Sequence, residues 1–225
     1  MSGISRFAPS NLFVVLFLCC LAIGLSSRPT AASAETYIGG QFGAVFPRDI
    51  TSENIDNACC PPSKGAGIDY KTSAAYGIKI GHYFNGLRFL GVELDYLHAN
   101  PHLAQKGSFA GEYFRVDSYT INVVLRYPGE KFQPYFAVGP SLMYATASDS
   151  TLTRESQRDR KVGINAELGT RYMLRKNVAL FGEMRMQYAR FHYPETTSFN
   201  SYQASYAAPS VLFGIAFNVE PLFKD

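Results

Sequence analysis

The stretch VLFGIAFNV, residues 211–219, alternates strictly. Val211, Phe213, Ile215, Phe217 and Val219 form one uniformly large, apolar set, and Leu212, Gly214, Ala216 and Asn218 form a mostly small or polar one. A period of two means a β-strand whose two faces meet different surroundings. Which set points inward decides the fold.

The same pattern recurs upstream in seven segments: 38–46, 76–84, 90–96, 119–127, 135–144, 162–172 and 178–188. In YGIKIGHYF (76–84), Tyr76, Ile78 and Ile80 oppose Gly77, Lys79 and Gly81; in YTINVVLRY (119–127), Tyr119, Ile121, Val123 and Leu125 oppose Thr120, Asn122 and Arg126. That predicts eight strands of about ten residues, with no helical period after residue 34. The connections alternate long and short. The short ones include NGLRF, whose Asn85-Gly86 is a strong hairpin signal. An up-and-down meander with this rhythm gathers its long loops (47–75, 100–112, 146–161 and 193–205) at one end and its tight turns at the other.

In a soluble barrel the apolar set would face inward, leaving outward strand positions occupied by many glycines that weaken a strand without packing anything. The inverse assignment places those glycines in the narrow interior of an eight-stranded barrel, where small residues must be interspersed with long ones. The long inward residues then carry both signs: Lys79, Arg126, Arg171 and Arg185 with Glu93, Asp95, Glu167 and Glu183. Such a set can neutralise itself as a buried lumen network, whereas uncompensated each charge costs several kcal/mol. Val211, Phe213, Ile215 and Phe217 are accordingly expected to face lipid. Strand length suits a tilted membrane crossing. Closure leaves no backbone edge unpaired in hydrocarbon. Tyr37, Phe46, Tyr76, Tyr83, Tyr96, Tyr119, Tyr127, Tyr144, Tyr172 and Tyr188 lie near strand ends, where interfacial aromatic girdles are expected. The expected fold is all-β, an eight-stranded antiparallel up-and-down transmembrane β-barrel.

The N-terminus gives the route. Arg6 precedes LFVVLFLCCLAIGL (12–25), an uncharged apolar run too short to span a membrane comfortably, and Ala32-Ser33-Ala34 closes the segment. Residues 1–34 therefore read as a cleaved signal peptide and 35–225 as the barrel domain. The full chain of 225 residues carries 21 basic and 18 acidic residues; loss of Arg6 and Arg28 leaves 19 basic against 18 acidic in residues 35–225, which argues against a nucleic-acid partner. Cys59 and Cys60 are adjacent, so they cannot clip a loop. The chain contains 15 Tyr and 17 Phe but no Trp, and only 17% of its residues are charged, below the usual quarter.

YIGGQFGAVFP (37–47) opening the mature chain, together with the closing strand of alternating aromatics, resembles the small outer-membrane β-barrel superfamily of Gram-negative bacteria (OmpA transmembrane-domain and OmpX-like). The likeness covers about residues 36–219. It implies insertion in the bacterial outer membrane, outer-membrane lipid and lipopolysaccharide as neighbours, a monomer, and an extracellular ligand, if any, met through the long loops. One departure is the tail EPLFKD after the last strand, where members often end on an aromatic residue. No second, wall-binding domain is expected.

Chemistry is sparse. Members of the superfamily that act on lipid A use a serine activated by a histidine. His192, Glu195, Ser198 and Ser201 are the candidates, but they lack a compact His-x-Ser arrangement. His98 and His102 are four apart, a metal-friendly spacing on a helix, yet Asn100-Pro101 stands between them. No catalytic residue, cofactor or metal site is expected. The expected role is envelope integrity or surface interaction, with a lipid A-modifying enzyme and a narrow solute channel as alternatives.

Overall fold

The structure, a computed structural model, describes residues 35–48, 53–54, 70–103, 112–149, 156–193 and 202–219. Eight long strands are present: β1 (Glu35–Val45), β2 (Ser73–Phe84), β3 (Leu87–Ala99), β4 (Glu112–Arg126), β5 (Phe132–Asp149), β6 (Ser156–Arg175), β7 (Val178–Tyr193) and β8 (Tyr202–Val219). Each pairs antiparallel with its sequence neighbour, and β1 pairs with β8 from Thr36↔Val219 to Val45↔Ser210, closing the barrel. Three two-residue strands (Glu53–Asn54, Tyr70–Lys71 and His102–Leu103) extend the pairing beyond the long strands. The expected signal segment, Cys59, Cys60 and residues 195–201 lie outside the described residues.

Local sequence explains the turns. Gly86, in the tight turn between β2 and β3, has φ 87°, a left-handed backbone that a residue without Cβ adopts freely. Together with Asn85 it forms the hairpin. At Pro140 the β4–β5 ladder is interrupted. Thr120↔Ser141 and Val123↔Val138 pair, while Ile121 and Asn122 opposite Gly139 and Pro140 do not. Proline has no N–H to give the ladder. The strands nevertheless run close here. A Cβ on Gly139 would collide with the Ile121 carbonyl oxygen and lie 2.9 Å from the Asn122 Cα. Gly139→Ala is expected to cost about 1–3 kcal/mol, measured as a lower urea midpoint. An unchanged midpoint would show that the two strands can part at this level.

The outward faces of the strands form a continuous apolar band. Ile78, Ile80, Leu94, Ile121, Val123, Ile164, Leu168 and Met184 all point away from the barrel axis, as do Phe213, Ile215 and Phe217. Val211 is half-exposed on the same face.

Two features differ from the sequence reading. First, five strands are 15 to 20 residues long rather than about ten, so β5, β6 and β8 enter the segments read as loops 146–161 and 193–205. Second, the added length is dressed the other way. On β4, Tyr119, Ile121 and Val123 face outward with Ser118, Thr120 and Asn122 inward. Two residues further up, Arg115 and Asp117 face outward while Phe114 and Val116 are buried. On β7, Met184, Met186 and Tyr188 face outward below Arg190 and His192, while Ala189 and Phe191 are buried. The upper barrel thus has a soluble protein's arrangement, apolar inside and polar outside.

Candidate functional site

The lumen is built in layers. Its middle holds six charged side chains from β2, β3, β6 and β7. The Lys79 ammonium lies 2.8 Å from Glu183, 3.2 Å from Glu93, 3.4 Å from Glu167 and 3.5 Å from Asp95. Arg185 donates to both Asp95 oxygens at 2.9 and 2.7 Å and to Glu183 at 2.9 Å, and it lies 3.0 Å from Glu167. Side-chain exposure in this group is between 0% and 3%.

Two cations face four carboxylates. Neutral donors add no charge but satisfy carboxylate oxygens alongside the two cations. The Tyr37 and Tyr135 hydroxyls donate to Glu93 and Glu183, each at 2.5 Å. Gln41 donates to Asp95 at 2.8 Å, Asn122 to Glu167 at 3.0 Å, and Asn165 to Glu167 at 2.8 Å. In a low-dielectric interior every carboxylate oxygen needs such partners, since an unpaired buried charge is costly. Glu93, Asp95 and Glu167 bring oxygens within 4.8 Å of one another, a spacing that could hold a cation. The Lys79 ammonium and the Arg185 guanidinium already serve them.

Arg126 and Arg171 do not join this group. They sit one layer toward the tight turns, where both pair with Glu35, at 2.5 and 3.4 Å. Arg126 lies 3.5 Å above the Tyr83 ring and Arg171 4.3 Å above the Tyr37 ring, and the two rings stack at 5.7 Å. Tyr37 and Tyr83, 3% and 2% exposed, are therefore lumen residues and not part of an outer girdle. Their parity with Lys79 and Gln41 was the available signal. Glu35 shares that parity, two residues before Tyr37 on β1. The other girdle candidates point outward or are half-exposed.

Above the charged layer, Thr120 donates to Ser141 at 2.8 Å. An apolar cluster then fills the top, including Leu97, Phe114, Val116, Met143, Phe191, Tyr206 and Leu212. Phe114, Phe191 and Tyr206 contact one another with centroids 6.0 to 6.3 Å apart. The lumen is thus polar only through its middle and lower parts.

Among the described residues, the candidates for chemistry lie on separate strands. The His192 side chain is exposed on the upper outer wall, and its backbone N–H donates to Asp159 at 2.6 Å. His98 is on a strand, 2.7 Å from Asp117 and tilted at 39° against the Tyr76 ring. His102 follows on its own short strand, so no helix aligns the pair.

A closed antiparallel barrel with an apolar outer band and ion-paired lumen defines a transmembrane β-barrel of the bacterial outer membrane. The family model of the outer membrane protein beta-barrel domain matches residues 17–208, and the chain belongs to that family. Solved structures with the same fold include the outer membrane protein OprG from Pseudomonas aeruginosa, at 19% identity and TM-score 0.65, covering 84% of this chain and 97% of that one. Ail, the attachment invasion locus protein of Yersinia pestis, aligns at 14% identity and TM-score 0.51, covering 83% of this chain and 99% of Ail. The outer membrane protease OmpT from Escherichia coli aligns at 7% identity and TM-score 0.51, covering 86% of this chain and 99% of OmpT. At these identities the likeness is one of fold. No curated protein sequence gives a significant match.

Proposed function

We propose that the chain is a monomeric, non-catalytic barrel that supports envelope integrity or meets surface partners. Its wall would be embedded in outer-membrane lipid and lipopolysaccharide, and any extracellular ligand would be met at the loop end. The observation that carries this reading is the occluded lumen. Six charged side chains, almost fully buried, lie across its middle, with an apolar cluster above and the Glu35–Arg126–Arg171 group below. Side chains leave no room for an aqueous path at eight strands. Function then belongs to the outer surface.

Planar-bilayer recording tests this directly. The purified, folded barrel, for which a heat-dependent gel shift is the expected mark of closure, should give no stable conductance steps. Reproducible steps of one size, lost on boiling the sample, would replace this reading with that of a solute channel.

A further inference from the structure

The outer wall carries a feature that neither the lumen nor the loops explain. On β4, β5 and β6, just above the apolar band, lies a shallow groove of about 650 Å³. Its lining residues, with Arg160 and Val162 beside them on β6, are ordered in rows by the strand register. The top row is Arg115, Thr146 and Arg158; the next is Asp117, Tyr144 and Arg160; the third is Tyr119, Leu142 and Val162; below it Ile121 and Ile164 continue the apolar wall. Within one short stretch of wall the surface passes from cationic, through aromatic, to aliphatic.

The charges are unequal. Asp117 is the one acid in these rows and is already engaged. Arg115 Nε donates to it at 3.0 Å, the Tyr96 hydroxyl donates at 2.9 Å, and His98 Nδ1 lies 2.7 Å away. Neither Arg158 nor Arg160 has a carboxylate within ion-pair distance among the described residues, and both are exposed. Arg115 remains 59% exposed despite its contact with Asp117. Arg115 and Arg158 straddle one strand, which sets their backbones about 10 Å apart. Guanidinium forks suit phosphate oxygens, and tyrosine rings suit the headgroup level.

We propose that this groove binds a phosphorylated glycolipid of the outer leaflet. Arg115, Arg158 and Arg160 would meet its phosphates. Tyr119 and Tyr144 would lie against its sugars, and Leu142 and Val162 against the start of its acyl chains. A soluble anion would use the top row and leave the lower rows idle. The graded wall, continuous with the apolar band, favours a ligand that is anionic at one end and hydrocarbon at the other. The site rests on the lipopolysaccharide contact proposed above, and assigns it to one face of the barrel.

The test uses the full, folded chain in detergent micelles with native mass spectrometry. Bisphosphorylated lipid A, dephosphorylated lipid A and inorganic phosphate are titrated separately. The wild type should retain bisphosphorylated lipid A in preference to the other two. The triple variant Arg115→Gln/Arg158→Gln/Arg160→Gln should bind it about tenfold more weakly or worse, while keeping its heat-dependent gel shift. Arg175→Gln/Lys176→Gln, at the opposite end of the barrel, should bind as the wild type does. A wild type with no preference for lipid A would overturn both the site and the lipopolysaccharide contact. A triple variant that binds like the wild type, or a turn variant that weakens equally, would overturn the site alone. Equal retention of the dephosphorylated lipid would overturn the role of the arginines, and binding of inorganic phosphate as tight as lipid A would overturn the lipid assignment.

Discussion

Lys79→Met should cost about 3–5 kcal/mol of barrel stability, because it leaves buried carboxylates without their shared cation. Lys79 lies within 3.5 Å of all four acids, and Arg185 alone would remain against Glu93, Asp95, Glu167 and Glu183. Urea unfolding in lipid vesicles, followed by the gel shift, reads the loss. Lys79→Met/Glu183→Gln should recover part of it, since one of the stranded charges goes too. Residues in one network couple in this way, so the two single changes should not add. A single variant that unfolds at the wild-type urea concentration would show that the cluster is not held by this ammonium. The network's net contribution to stability is smaller than the cost of breaking it. The network also ties β2, β3, β6 and β7 together across the lumen. A one-residue slip of any of these strands would turn its charges to the other face.

The second large effect concerns the opposite face. Phe213 points outward at 55% exposure, opposite Phe42 and Gly182, midway along the apolar stretch of β8. Phe213→Arg should cost about 2–4 kcal/mol if that face lies in the bilayer midplane, and Val219→Arg, at the strand's end, about 0–1 kcal/mol. The readout is again the urea midpoint in vesicles. Equal, small effects at both positions would mean that water and not lipid surrounds Phe213, and Val211, Ile215 and Phe217 would lose their assignment with it.

The strands and their inward parity were legible because alternation survives without knowledge of neighbours. Lys79, Glu93, Asp95, Glu167, Glu183 and Arg185 could be placed on the inner face from parity alone. Their pairing could not. Whether Lys79 meets Glu183, 104 positions away, depends on register around the whole barrel. For the same reason Arg126 and Arg171 could not be told apart from the central group. Tyr37 and Tyr83 were misplaced because an aromatic residue at a strand end suggests an interface, although parity put both inside. The missed upper barrel has a different cause. On β4 the apolar set is odd-numbered from Tyr119 to Leu125 but even-numbered at Phe114 and Val116. A change of phase looks like the end of a strand. Here the strand continues, and the solvent outside it changes.

That change of phase also fixes an elevation. Sliding the barrel inward by two residues, about 7 Å along a strand, would bring Asp117 and Arg160 down to the level of Tyr119 and Val162, where the apolar band begins. Sliding it outward would strand Ile121 and Val162 among headgroups. The wall therefore serves as its own depth gauge. From Asp117 to Glu112, β4 rises further by five residues, roughly 15 Å along its length. The strands therefore continue as a wall above the apolar band, with a polar outer face set at a fixed height over it.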